Sequence, residues 1–194
     1  MNVLFASYDP EDHGSPLTDA EVSLATADDL AETGALAARR EGAEPADWVR
    51  VHSRKFDDPD QRLFVARVEG RVVGFGWVAH LTPSASGGHG APDGWYLNGL
   101  VVAPELRRRG LGLRLTCARI AWALDRADEV FYVVAGSNRA SRRMHELLGF
   151  RELTTDFALP GAVFGNGDGI LCRLGRDDGA DVIDLAAWAA SRGR

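Results

Sequence analysis

Residues 105–119 read ELRRRGLGLRLTCAR, five arginines against one glutamate, and within them Arg107-Arg108-Arg109-Gly110-Leu111-Gly112 has the make-up of an anion cradle. Glycines let main chain approach a ligand closely. Amides that open a helix converge on negative charge, and the helix dipole adds to the attraction. A diphosphate suits such a turn, with neighbouring arginine side chains as partners for a further phosphate at the rim. The competing reading is a solvated arginine run before an ordinary turn. A second constellation is Asn138, Ser141 and His145, spaced by three and four, so that on a helix the three share one face.

Placing these groups needs a strand end, a turn and two helix starts close together. GWYLNGLVVAP reads as the strand that delivers the turn. Leu111, Leu115, Ala118 and Trp122 then recur as on a helix with a wide apolar face. EVFYVVAG is the next strand, and the strand, helix, strand order makes the two strands parallel neighbours. A last helix is predicted over residues 139–148, capped by Asn138 and closed by Gly149, with Ala140, Met144, Leu147 and Leu148 turned inward. Upstream, EVSLAT reads as a strand, with one helix after it and a second over residues 46–55. RLFVARVEG and RVVGFGWVAHL form an antiparallel hairpin, SASGGHGAPDG an exposed loop, and FRELTTDFALPG and GDGILCRLG two more strands.

This order of elements, with the R-x-x-G-x-G turn and the stretch N-x-x-S-x-x-M-H-x-x-x-G-F over residues 138–150, resembles the acetyl-CoA-binding half of the GNAT superfamily of N-acetyltransferases. The family's own second signature is N-x-x-A/S-x-x-L-Y-x-x-x-G-F. The resemblance spans residues 21–174 and is strongest over 95–150. It implies an α/β (α+β) fold with a mixed, strongly twisted sheet, its fourth and fifth strands splayed and helices on its flanks. It also implies a co-substrate, acetyl-CoA, whose pantetheine arm enters the splay. The main chain of Leu100, Val101 and Val102 would then bond the arm and the thioester carbonyl. Arg107, Arg108, Arg109, Gly110, Leu111, Gly112 and Leu113 would hold the pyrophosphate. Asn138 falls on the family's pantetheine-contacting asparagine, and Ser141 on the small position one turn on.

Two positions depart from the family pattern. His145 stands where many relatives carry a tyrosine that protonates the departing thiolate; an imidazole of ordinary pKa, ~6.5, can give a proton at neutral pH. It reads either as that donor or as a helix histidine that packs on the co-substrate. Asn98 stands where relatives place a glutamate base, and an amide orients water without acting as a base. The base is then sought at Glu41, His80 or Asp93, with Glu41 preferred at the end of the first helix; a solvated helix-end carboxylate is the alternative. Tyr96 shares a strand face with Asn98 and reads as a substrate contact or as core. Trp77, Trp122, Phe75, Phe131 and Cys117 read as core.

With 194 residues, 45% of them hydrophobic and 26% charged, the chain is predicted to form a single GNAT-like domain over residues 21–175. A loose N-terminal arm over 1–20 precedes it. An acidic segment and short helix over 176–194 follow, with Val182, Leu185 and Trp188 set to cover the domain or the second subunit of a homodimer. Two cysteines show no metal-ligand spacing, so no metal is predicted. Apolar stretches are too short for a membrane span and no secretory leader is visible, so the prediction is cytoplasmic. A net charge of -6 argues against nucleic acid and suits a cationic acceptor, either a small-molecule amine or a protein amino group. The activity read from the sequence is transfer of an acetyl group by direct attack in a ternary complex. Its rival is a non-catalytic acyl-CoA-binding sensor.

Overall fold

In chain order the elements are strand Glu21–Leu24 (β1), helices Leu30–Glu41 (α1) and Pro45–Phe56 (α2), and strands Gln61–Val68 (β2), Arg71–Leu81 (β3) and Gly94–Val102 (β4). Helix Leu111–Leu124 (α3), strand Glu129–Ala135 (β5), helix Arg139–Leu147 (α4) and strands Arg151–Thr154 (β6) and Gly169–Gly175 (β7) follow. The computed structural model describes residues 14–164 and 167–178; the predicted tail helix with Val182, Leu185 and Trp188 lies outside the described residues.

The strands form one sheet in the order β1-β2-β3-β4-β5-β7-β6. Every neighbouring pair is antiparallel except β4 and β5, which run parallel as the intervening helix requires. β2 and β3 are joined through Glu69 and Gly70, both at positive φ (50° and 77°), the left-handed pair that a two-residue turn needs to match strand twist. β7 inserts between β5 and β6, an order the sequence did not reveal.

Alternation along the strands sends side chains to two cores. On one face Leu111, Leu115 and Ile120 of α3 pack with Phe64, Val78, Leu97, Val130, Tyr132 and Leu174. On the other, Leu36 and Ala37 of α1 pack with Leu63, Val65, Phe75, Trp77 and Val101. Each large apolar side chain so buried contributes roughly 1.5–3 kcal/mol. Phe131 joins Tyr96 in a third cluster, and Trp122 is half-buried under Arg126, whose guanidinium lies 4.1 Å from its ring centre.

Two expectations change. Leu147 is 60% exposed, because α4 turns His145 and Leu148 inward in its place. Of the segment read as a loose arm, residues 14–20 lie along the arginine turn. The Leu17 amide donates to the Arg109 carbonyl at 3.1 Å, and Ala20 is buried in the core.

Candidate functional site

The parallel register of β4 and β5 covers only Trp95/Val130, Tyr96/Phe131 and Leu97/Tyr132. Beyond it β5 continues beside β7 and β4 continues beside β3, so residues 98–102 of β4 line a gap. β4 is also bulged there. Phe75 faces Val101 and Trp77 faces Asn98, which sets Gly99 and Leu100 against Gly76 alone. A bulge kinks its strand and re-aims the groups on it. Gly99 makes the kink at φ +59°, a left-handed conformation that suits glycine.

At the mouth of the gap stands the start of α3. Gly110 is left-handed at φ +84°, and a Cβ added there would meet nothing within 4 Å. Among the described residues no side chain caps α3 and no acidic residue sits in its first turn, an arrangement that suits an anion at its opening amides. A Cβ on Gly112 would lie 3.8 Å from Leu100, 3.9 Å from Met144 and 4.0 Å from Val102, so β4, α3 and α4 converge at that point. α4 differs from α3: Asn138 Oδ1 accepts from the Ser141 amide at 3.2 Å, a side-chain cap that leaves Nδ2 to donate elsewhere.

The arginines divide by role rather than forming one phosphate rim. Arg109 Nε donates to the Ser15 carbonyl at 3.0 Å, and Arg114 donates to the carbonyls of Leu17 and Ala20, so both side chains are spent on the segment before β1. Arg107 is exposed and donates to the Val102 carbonyl at 3.3 Å; Arg108 sits at φ +61°. Arg119 is 1% exposed, inside the molecule.

The candidate bases are scattered. Glu41 is exposed and paired with Arg40 at 3.2 Å; Arg40 in turn donates to the Leu100 carbonyl at 3.1 Å, so Glu41 is linked to the gap through Arg40. Asp93 accepts from the Ser84 hydroxyl at 2.8 Å, and His80 packs edge-on against Trp95 at 5.1 Å, before the splay begins. Tyr96 is core: it is 1% exposed and its hydroxyl donates to the Pro92 carbonyl, with burial first and Asp93 second pushing its pKa up to about 12. Asn98 Oδ1 is buried at the root of the gap and has no hydrogen-bond partner among the described residues.

A family model described as the acetyltransferase (GNAT) family matches residues 28–150. The chain belongs to the GNAT acetyltransferase family. Among curated relatives, a mycothiol acetyltransferase of Acidothermus cellulolyticus is 28% identical over 158 residues, 67% of this chain and 48% of that protein. One of Thermobispora bispora is 31% identical, covering 59% and 45%. The chain thus spans about half the length of the curated relatives it matches. Among solved structures, an aminoglycoside 6'-acetyltransferase type Ii superposes with TM-score 0.63 at 17% identity, covering 80% of this chain and 97% of that one. The spermidine N-acetyltransferase of Vibrio cholerae gives 0.62 at 14%, covering 83% and 98%.

Within this GNAT fold His145 differs from the donor its position suggested. It is 4% exposed and stacked on Tyr132 with ring centres 3.8 Å apart. Its Nδ1 lies 2.9 Å from the Ser141 carbonyl, which only accepts, so Nδ1 carries the proton. Burial drives its pKa down to about 3; the Ser141 bond opposes this and the Arg119 charge adds to it. This is a neutral packing histidine, not an imidazolium at pH 7. Burial raises the pKa of Tyr132 and of Cys117, that of Cys117 to about 11, so both keep their protons at neutral pH.

Arg119 is the site residue that sequence reasoning missed. Its Nη1 donates to the carbonyls of Trp77 and Asn98, each at 3.2 Å, its Nε to Leu115 and its Nη2 to Thr116. Burial lowers its pKa to about 9, which leaves it charged at neutral pH. The available signal was Gly74 and Gly76, alternate glycines on the β3 face that meets α3. A Cβ on Gly76 would lie 2.9 Å from the guanidinium. Gly76→Ala is therefore expected to destabilise the fold by about 1–3 kcal/mol in urea unfolding, the usual effect of overpacking. An unchanged midpoint would mean that the guanidinium moves freely.

Proposed function

We propose that the chain transfers an acetyl group from acetyl-CoA to a primary amine by direct attack in a ternary complex. The observation that carries this reading is the early end of the β4–β5 pairing, which opens a gap beside a glycine-started helix that no side chain among the described residues caps. The residues present suit such a co-substrate. The opening amides of Leu111, Gly112 and Leu113 and the open space at Gly110 suit a diphosphate, and residues 98–102 offer main chain to an extended arm. Acetyl-CoA supplies the activated acyl group. The amine nitrogen bonds to the thioester carbon, the carbon–sulfur bond breaks, and the thiolate leaves as coenzyme A.

The chain's contribution is positioning and main-chain stabilisation of the oxyanion, effects large enough to carry most of the rate. Asn98, with its unpartnered oxygen at the root of the gap, orients the amine or a water beside it. His145 packs the floor in its neutral form and takes no part in proton transfer. The acceptor is a small-molecule amine or a protein amino group, and proton removal from it falls to solvent or to Glu41 across Arg40. No helix among the described residues is long and apolar enough to cross a membrane.

The test is calorimetric titration with acetyl-CoA, followed by release of free coenzyme A thiol across a panel of amines. Tight binding without release on any amine would favour a sensor, a reading to which the absent strand carboxylate and the neutral His145 lend support. For an active enzyme, kcat is expected to show no inflection from His145 between pH 5.5 and 7.5. His145→Gln should keep the wild-type profile; a limb that disappears in this variant would restore His145 as the donor.

A further inference from the structure

Arg119 is a buried cation that no step above uses. Among the described residues no carboxylate pairs with it, and all its hydrogen bonds go to neutral oxygens: the carbonyls of Leu115, Trp77 and Asn98 and the hydroxyl of Thr116. A charge held inside without a counter-charge works against the fold unless its donors are well satisfied, and an apolar side chain of similar size would fill the same space at less cost. Its partners show what the guanidinium does. Trp77 and Asn98 face each other where the β3–β4 register slips, so Arg119 spans the two strands at the bulge. Gly76 lacks the side chain that would block this approach.

The peptide between Asn98 and Gly99 is trans, so its N–H points opposite to its C=O. Arg119 holds the carbonyl from the α3 side. The Gly99 N–H is thereby aimed away from α3, on an exposed residue beside the gap. We propose that Arg119 is a positioning residue that fixes the β4 bulge, and so sets the direction of the Gly99 and Leu100 amides that meet the thioester carbonyl. A planar fork suits this task, because two N–H groups of one nitrogen reach two carbonyls at once; a lysine ammonium lacks that fixed geometry. The catalytic half of the inference rests on the acetyl-transfer reading, while the structural half does not.

The experiment follows Arg119→Met and Arg119→Lys by two readouts. The first is amide hydrogen exchange in the free protein. The amides of β3 and β4 on either side of the bulge, over residues 75–77 and 98–101, should exchange about 10-fold faster or more in both variants wherever the wild type protects them, with the Val133 amide of β5 unchanged. Equal exchange over this stretch in variant and wild type overturns the proposal whatever the activity. The second is turnover per acetyl-CoA-binding site, with the sites counted by calorimetry so that misfolded protein drops out. Acetyl-CoA affinity should stay within about 3-fold while kcat falls about 100-fold in Arg119→Met, the scale of losing an oxyanion donor, and less in Arg119→Lys. Unchanged kcat with faster exchange overturns the catalytic half. If Arg119→Met does not fold, Arg119→Lys carries both readouts with the same outcomes. A wild-type protein that never releases coenzyme A brings down the acetyl-transfer reading and the catalytic half together, and the exchange result still decides the structural half.

Discussion

Gly110→Asp is expected to abolish measurable acetyl-CoA binding, a loss of at least about 100-fold, while the protein stays folded. Among the described residues a Cβ at Gly110 meets no atom within 4 Å, so the fold has room for the start of the new side chain, which fills instead the volume in which a diphosphate would lie. Its carboxylate adds like-charge repulsion at the spot where the opening amides of α3 attract an anion. The fold tolerates the change because aspartate is one of the few residues that enters the left-handed region with modest strain, about 1 kcal/mol. Negative charge at a helix start offsets part of that. Calorimetry and a urea titration on the same preparation separate the two effects. Retained affinity would mean that the diphosphate lies elsewhere, and the proposed site would go with it.

What the sequence made legible was local. The β2–β3 turn follows from Glu69-Gly70, the α4 start from Asn138, and the parallel β4–β5 pair from the apolar helix between them, since each rests on neighbours in the chain. The anion turn was legible for the same reason: Gly110 and Gly112 stand side by side with the helix they open. Long-range placement was not legible. Nothing near Arg119 in the chain distinguishes it from Arg107 or Arg114, and only folding brings Gly76 beneath it. The carbonyls of residues 15–20 draw in Arg109 and Arg114 across a separation in sequence that no periodicity measures. His145 shows the limit most sharply. Its spacing with Asn138 and Ser141 was read correctly as one face, but its burial depends on Tyr132 arriving from β5 and on Phe150 just ahead of β6.

That burial has a thermodynamic consequence in which two histidines act together. His52 of α2 is 3% exposed, among the rings of Trp48, Phe75 and Trp77. The Thr33 hydroxyl donates to the Leu30 carbonyl, so its oxygen accepts from His52 Nδ1 at 3.0 Å and keeps a proton on that nitrogen. Burial first, and the Lys55 charge second, bring the His52 pKa down to about 4, beside about 3 for His145. Unfolded, both titrate near ~6.5. Between those values and ~6.5 the unfolded chain binds protons that the folded one refuses, so stability rises with pH. The contribution is complete above ~6.5 and is lost as pH falls toward the folded values. From pH 7 to 5 each ring should cost about 2 kcal/mol, at about 1.4 kcal/mol per unit below 6.5. About 4 kcal/mol for the pair is a large part of the 5–15 kcal/mol typical of a domain. Asp29 does not offset this. Burial raises its pKa, but the Thr26 amide and Arg67 outweigh that and lower it, so its contribution is lost only below the ordinary carboxylate value. Urea unfolding at pH 7, 6 and 5 reads the effect directly. His52→Asn, with an amide that can still reach Thr33, should remove about half of the slope. Stability that stays level from pH 7 to 5 would mean that neither ring is held neutral, and with that the case for a neutral His145 on the floor of the gap would fail.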